Sequence, residues 1–188
     1  MPPRLRDAYE ERVHACHGES AKSAQLVADY REAHARLTAA TTQEGVAWDD
    51  LPACVSPPVA EWQATGGERT RPQLSFFPSR IDRQRVTRAL AHCDAVMYGD
   101  AAVRAATRID IVIDLSDTDV GSLSALTQAC AREDLRDGLR LWACLPFAVD
   151  CVDIVLPRGA PLLGRMVGRL ARMLLSEKLQ RKVRFVVT

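Results

Sequence analysis

The sequence predicts an α/β domain with a parallel βαβαβ core and flanking helices, preceded by an N-terminal helical arm. Three observations carry this. Ile109 to Leu115, IDIVIDL, is β-branched enough for a strand at the centre of a sheet. Cys151–Leu156 and Lys182–Val187 are two further apolar runs of strand length. Between the three runs lie stretches with helical spacing, and right-handed crossovers make strands connected in this way parallel.

In chain order, residues 3–17 fit a helix with Leu5, Tyr9, Val13 and Cys16 on one side, interrupted by Gly18. Ser20 is placed to cap a second helix whose Leu26, Val27, Tyr30, His34 and Leu37 share a face. This arm, residues 1–50, must pack on something. Periodicity fades from Thr38 to Asp50, and Ser56-Pro57-Pro58 reads as the end of a linker. The main domain then covers 59–188. Val59–Thr65 and Gln73–Phe77 read as two strands of a hairpin, closed by Pro78. Ile81–Met97 is a helix with Val86, Leu90, Cys93 and Met97 on one face, and Asp100–Thr107 a second helical piece. In the central strand Ile109, Ile111 and Ile113 point one way, and Asp110, Val112 and Asp114 the other. Gly121-Ser122 opens a helical region through Leu123, Leu126 and Cys130, continuing by Leu135 and Leu139 to Trp142 and broken at Pro146.

The stretch Ala160–Lys182 is the richest. Leu162, Leu163, Met166, Val167, Leu170, Met173 and Leu174 form an apolar stripe, and Arg165, Arg169 and Arg172 a basic ridge. Gly164 and Gly168 lie inside this helix, each costing about 1 kcal/mol relative to Ala, which favours a helix that moves over a rigid scaffold. From Pro157 onward the chain carries +7 against −6 before it, although the total is only +1. A basic C-terminal region suggests an anionic partner. The plainer reading is a helix packed on a sheet with a solvated outer face.

Several functions find no support. No run approaches the roughly 18–20 apolar residues of a membrane span, and MPPRLRDAYEER lacks the apolar core of a signal peptide, which places the expectation in the cytosol. The six cysteines are scattered without a CxxC pair and read as reduced, mostly buried small hydrophobes. His14, Cys16 and His17 lack further ligands at matching spacing, so no metal and no cofactor are expected. No phosphate-binding glycine loop follows a strand, and no GxSxG elbow occurs. The only aromatic residue near the Arg ridge is Phe185, too little stacking surface for nucleic acid. Asp117 and Asp119 resemble the Asp-x-Asp of haloacid-dehalogenase-like phosphatases. That site would bind Mg²⁺ for phosphotransfer but needs an acidic pair on later loops, where none occurs. An acidic turn capping the next helix is the better account.

A family resemblance joins these pieces. The run from Ala160-Pro161 through Leu174-Leu175-Ser176-Glu177-Lys178 to Lys182-Val183 resembles the C-terminal half of CRAL-TRIO domains, the lipid-binding modules of phosphatidylinositol- and tocopherol-transfer proteins. There a strand ending in Ile-Asn-Ala-Pro is followed by a long helix and a Leu-Ser-Glu-Lys-like turn. Ile154-Val155-Leu156 stands three residues before Ala160-Pro161 here, and Asp114-Leu115 and Arg71-Pro72 match a strand end and a strand start of the family. The likeness covers residues 59–188. It implies a CRAL-TRIO-like sheet and a non-catalytic protein that binds or transfers a lipid or other apolar small molecule at membrane surfaces. Residues 160–175 would be the gate over the ligand. The stripe named above, together with Phe147 and Lys182, would line the pocket. Phe147 lies in Leu145-Pro146-Phe147, where family members often carry Tyr-Pro-Glu, and Lys182 matches a basic residue on the last strand. Arg165, Arg169 and Arg172 would meet an anionic membrane, making the protein cytoplasmic with peripheral membrane contact. The alternative is the same fold with a collapsed pocket, docking a protein partner through its basic helix.

Overall fold

A computed structural model describes residues 3–63, 71–81, 86–99, 106, 108–129, 148–174 and 177–188. Among these residues five strands form one sheet in the order β1 (Ala60–Gln63), β2 (Gln73–Phe76), β3 (Arg108–Asp114), β4 (Ala148–Leu156), β5 (Val183–Val187). The β1–β2 pair is the expected antiparallel hairpin, and β2 to β5 run parallel. IDIVIDL is indeed the middle strand, with Ile109 and Ile111 buried and Ile113 partly so.

Register assigns the two faces of the sheet. Trp62, Leu74, Ile111, Val152 and Val183 align in one row across all five strands. The next residues along, Glu61, Ser75, Val112, Asp153 and Arg184, align on the opposite face. Helix α4 (Val86–Gly99) covers the first face, where Trp62 Nε1–H donates to the Val96 carbonyl at 2.8 Å. Helix α6 (Pro161–Leu174) covers the same face further along, with Gly164 against Leu156 and Gly168 facing Phe185. The other face is polar. There Arg184 grips Asp153 with two hydrogen bonds, Nε to Oδ1 at 2.7 Å and Nη2 to Oδ2 at 2.8 Å. An irregularity between Ile109 and Asp110 leaves Asp150 without a partner residue on β3. Its carboxylate accepts from Arg108 Nε at 3.0 Å, and Arg71 Nη1 lies 2.8 Å away outside hydrogen-bonding geometry.

The arm carries α1 (Pro3–His17) and α2 (Ala21–Gln43), and both pack on α4, as does the short α3 (Leu51–Cys54) that follows. Gly18, at φ +68°, ends α1 by donating its N–H to the His14 carbonyl at 2.8 Å, a left-handed cap that suits glycine. Ser20 caps α2 as expected, its side chain accepting from Ser23 N–H at 3.2 Å. Helix α2 outlasts the fading of periodicity at Thr38. The hydroxyls of Thr38, Thr41 and Thr42 each donate to a carbonyl four residues back, so these β-branched residues satisfy themselves within the helix. Tyr9 and Val13 of α1 and Val27, Tyr30, His34 and Leu37 of α2 are buried, as their spacing predicts.

Helix α4 differs from its expectation in a telling way. It is described only from Val86, and it buries more than one face: Ala91, His92, Cys93, Asp94 and Ala95 are consecutive and all buried. It lies between sheet and arm, so one side meets β1 while the other receives Asp94's partners from α2. Tyr30 Oη donates to Asp94 Oδ1 at 3.2 Å, and His34 Nδ1 lies 2.7 Å from Asp94 Oδ2. Tyr9 stacks on Tyr30 at 3.7 Å between ring centroids, and Trp48 meets the His34 ring edge-on at 4.3 Å. The Ser56–Pro57 peptide is cis. Helix α5 (Val120–Ala129) opens the β3–β4 connection; the expectations for 130–147 and for the helical piece at 100–105 lie outside the described residues.

Candidate functional site

Helix α6 sorts its side chains into three strips. At about 100° per residue, Leu163, Met166, Val167 and Leu170 fall within one arc. Leu163 and Val167 are buried, and Met166 and Leu170 pack partly against the same core. Gly164, Gly168 and Ala171 form a second strip of small residues. The third is Arg165, Arg169 and Arg172, all exposed and without an ion pair or hydrogen bond from the side chain among the described residues. Leu162 is a correction to the expected stripe: it precedes Leu163 by one position, falls beside Arg169 on the helix surface, and is 65% exposed.

The small strip creates space. Opposite it on β5 stand Val183 and Phe185, and between helix and strand lies a groove of about 500 Å³. Arg165, Arg169 and Arg172 line it from the helix, with Gly168 and Ala171 below them, and Gln180 of α7 (Glu177–Gln180) lies at one end. Three guanidinium groups thus stand around an aromatic floor, a combination suited to an anionic group attached to an apolar one.

The two glycines, expected from the sequence to ease movement of the helix, leave room for a methyl group beside the sheet. A Cβ at Gly164 would touch Leu156 Cδ1 at 3.4 Å, and one at Gly168 would find only Phe185 Cζ, at 4.0 Å. Both are ordinary contacts. Gly164→Ala and Gly168→Ala are expected to stabilise the protein by up to about 1 kcal/mol each through helix propensity. Thermal denaturation checks this, and a lowered Tm would mean that the helix backbone must sit closer to the sheet than a methyl group allows.

The remaining candidates are dispersed. Lys182 does not reach the groove; its ammonium donates to the Val149 carbonyl and lies near Asp150. Phe147 and the side chains of Met173 and Leu174 lie outside the described residues. Asp119 does cap α5, accepting from Ser122 N–H, and Asp114 Oδ1 accepts from Ser116 N–H at 2.9 Å. Asp117 is exposed. Among the described residues no three His, Cys, Asp or Glu side chains are grouped to hold a metal ion, and no helix is long and apolar enough to cross a membrane. The cysteines are less uniform than expected: Cys93 is buried, Cys151 half-buried and Cys54 exposed. Burial pushes the Cys93 thiol up to about 12. Burial, then the hydrogen bond it donates to Asp153, pushes Cys151 up to about 11. Both thiols stay protonated and unreactive near neutral pH. Sequence reasoning missed Val183, Phe185 and Gln180 as groove residues. The available signal was the pair of helical glycines, which mark where a helix leaves room beside its neighbour.

No protein-family model and no curated protein matches the sequence. Among solved structures the chain is similar to the crystal structure of Sfh5, with a TM-score of 0.57 at 10% sequence identity. The match takes in 97% of this chain and 65% of the Sfh5 chain, so this chain spans just under two thirds of its neighbour's length. At that identity the likeness is one of fold, and it extends over the arm as well as the sheet.

Proposed function

We propose that this protein binds a lipid or other apolar small molecule at membrane surfaces without catalysis, with helix 160–175 as its gate. The observation that carries this reading is the three-strip sorting of α6, in which an apolar face and a ridge of unpaired arginines flank a groove floored by Phe185. Fold likeness to Sfh5 and the CRAL-TRIO resemblance of residues 59–188 support it. The energetics are sufficient. Each basic residue near an anionic leaflet contributes about 1 kcal/mol, and each buried methylene of a bound chain about 0.8 kcal/mol.

Native mass spectrometry after incubation with phosphatidylcholine vesicles containing an anionic phospholipid tests the proposal. A mass increment matching one lipid is expected, reduced in Arg165→Glu/Arg169→Glu/Arg172→Glu protein if the ridge delivers the molecule to the membrane. Folded protein that acquires no lipid would overturn the reading. The collapsed-pocket alternative, a protein-docking module, then takes its place, favoured by the full burial of Leu163 beneath the helix.

A further inference from the structure

Among the described residues strand β5 is an edge, since the sheet order ends there. In a parallel ladder, alternate residues of a strand turn their N–H and C=O to one neighbour. Val152 N–H donates to the Lys182 carbonyl, and Thr188 N–H to the Leu156 carbonyl. Even-numbered residues therefore serve β4. The N–H and C=O groups of Val183, Phe185 and Val187 turn outward, and among the described residues nothing pairs with them. Val183 packs partly against the core, whereas the apolar side chains of Phe185 and Val187 are exposed, by 49% and 61%. An open edge of this kind is usually blunted by covering it or by Pro; among the described residues nothing covers this one.

The same edge borders the arginine groove. We propose that β5 and α6 together form a docking site for an extended acidic peptide of a partner protein, which adds a sixth strand to the sheet. Main-chain hydrogen bonds to Val183, Phe185 and Val187 hold the peptide, and its groove-facing side chains, every second residue, are acidic and meet Arg165, Arg169 and Arg172. Strand addition beside a helix, with alternate side chains entering a groove, is an established mode of peptide recognition. The spacing fits. Arg165 to Arg172 spans about 10.5 Å along the helix, and alternate residues of a strand lie about 6.6–6.8 Å apart, so the ridge serves two successive acidic side chains. Charge complementarity selects this occupant: among the described residues the groove lining offers three cations and no carboxylate. A membrane surface supplies the charge but no backbone to pair with the edge. The inference stands apart from the lipid reading and is tested without lipid.

Fluorescence anisotropy of a short labelled peptide alternating Glu and Val, titrated with the full chain, tests it. Replacing Glu by Lys in the peptide, or Arg169→Glu/Arg172→Glu in the protein, is expected to weaken binding about tenfold or more, the scale of a charge-assisted hydrogen bond. N-methylation of alternate peptide amides is expected to weaken it equally. So is Val187→Pro, which removes an edge donor while leaving the β4 ladder intact. Binding that survives N-methylation would reduce the interaction to general charge attraction and overturn the proposal. So would a chain that sediments as a dimer and becomes a monomer on Val187→Pro, because the edge would belong to a second copy. Should Val187→Pro fail to fold, the N-methylated peptide alone decides.

Discussion

Asp94→Ala is expected to destabilise the protein by about 3–5 kcal/mol, the range for breaking a buried charged or hydrogen-bonded pair. The carboxyl is fully buried and accepts from Tyr30 Oη on one oxygen while meeting His34 Nδ1 on the other. Removing it leaves both groups short of a partner where water cannot replace it, at about 1–3 kcal/mol each. His34 has no compensation at hand among the described residues, where its Nε2 already lacks a partner. Tyr30→Phe, which deletes one donor and keeps the stack on Tyr9, is expected to cost only about 1–2 kcal/mol. Urea denaturation of the two variants measures both. The pair also carries a pH signature. Burial raises Asp94 above the ordinary carboxylate value, opposed by His34 and Tyr30. A carboxyl that holds its proton more tightly folded than unfolded contributes stability that is complete below the unfolded value and is lost as pH rises through the folded one. The wild type is therefore expected to lose stability relative to Asp94→Asn as pH increases from acid towards neutral. A constant difference would show that the carboxyl binds its proton equally well folded and unfolded, burial being fully offset by His34 and Tyr30.

That buried polar triad shows where the sequence was readable and where it was not. The spacing of Tyr30, His34 and Leu37 announced a buried face, and it is buried. Nothing in that spacing said that its partner is Asp94, sixty-odd positions away on a helix that reads as apolar. A single carboxylate amid Ala, His and Cys is an ordinary polar residue until a second helix covers it. The strands were legible because β-branched runs have few other uses, and their parallel direction followed from the crossover connections; their order in the sheet did not. The end of α2 was not, because threonines that bond to their own helix carry no apolar periodicity. In α6 the stripe was legible only to within one position: Leu162 falls just outside the buried arc. The groove depends on β5 lying beside a helix that precedes it in sequence. It became visible only when Phe185 and Gly168 were placed face to face.

Leu163→Ala is expected to cost about 2–5 kcal/mol, as for other leucines truncated in a solid interior. Leu162→Ala, one position away and 65% exposed, is expected to change stability by less than about 0.5 kcal/mol. The contrast bears directly on the proposed gate. If α6 swings away from the sheet, Leu163 and Val167 leave the core, and opening costs an amount comparable to that burial. At about 0.8 kcal/mol per methylene, contact with an acyl chain several carbons long offsets it, so opening requires a lipid or a bilayer and the closed state dominates in water. Amide hydrogen exchange resolves the point. A gate opens as a unit at lower free energy than the central strands, so α6 amides are expected to exchange sooner than those of β3 and β4, and sooner still in Leu163→Ala. If instead α6 and β3 exchange together in both proteins, the helix unfolds only with the whole domain. The ligand would then have to enter by a route that leaves Leu163 in place.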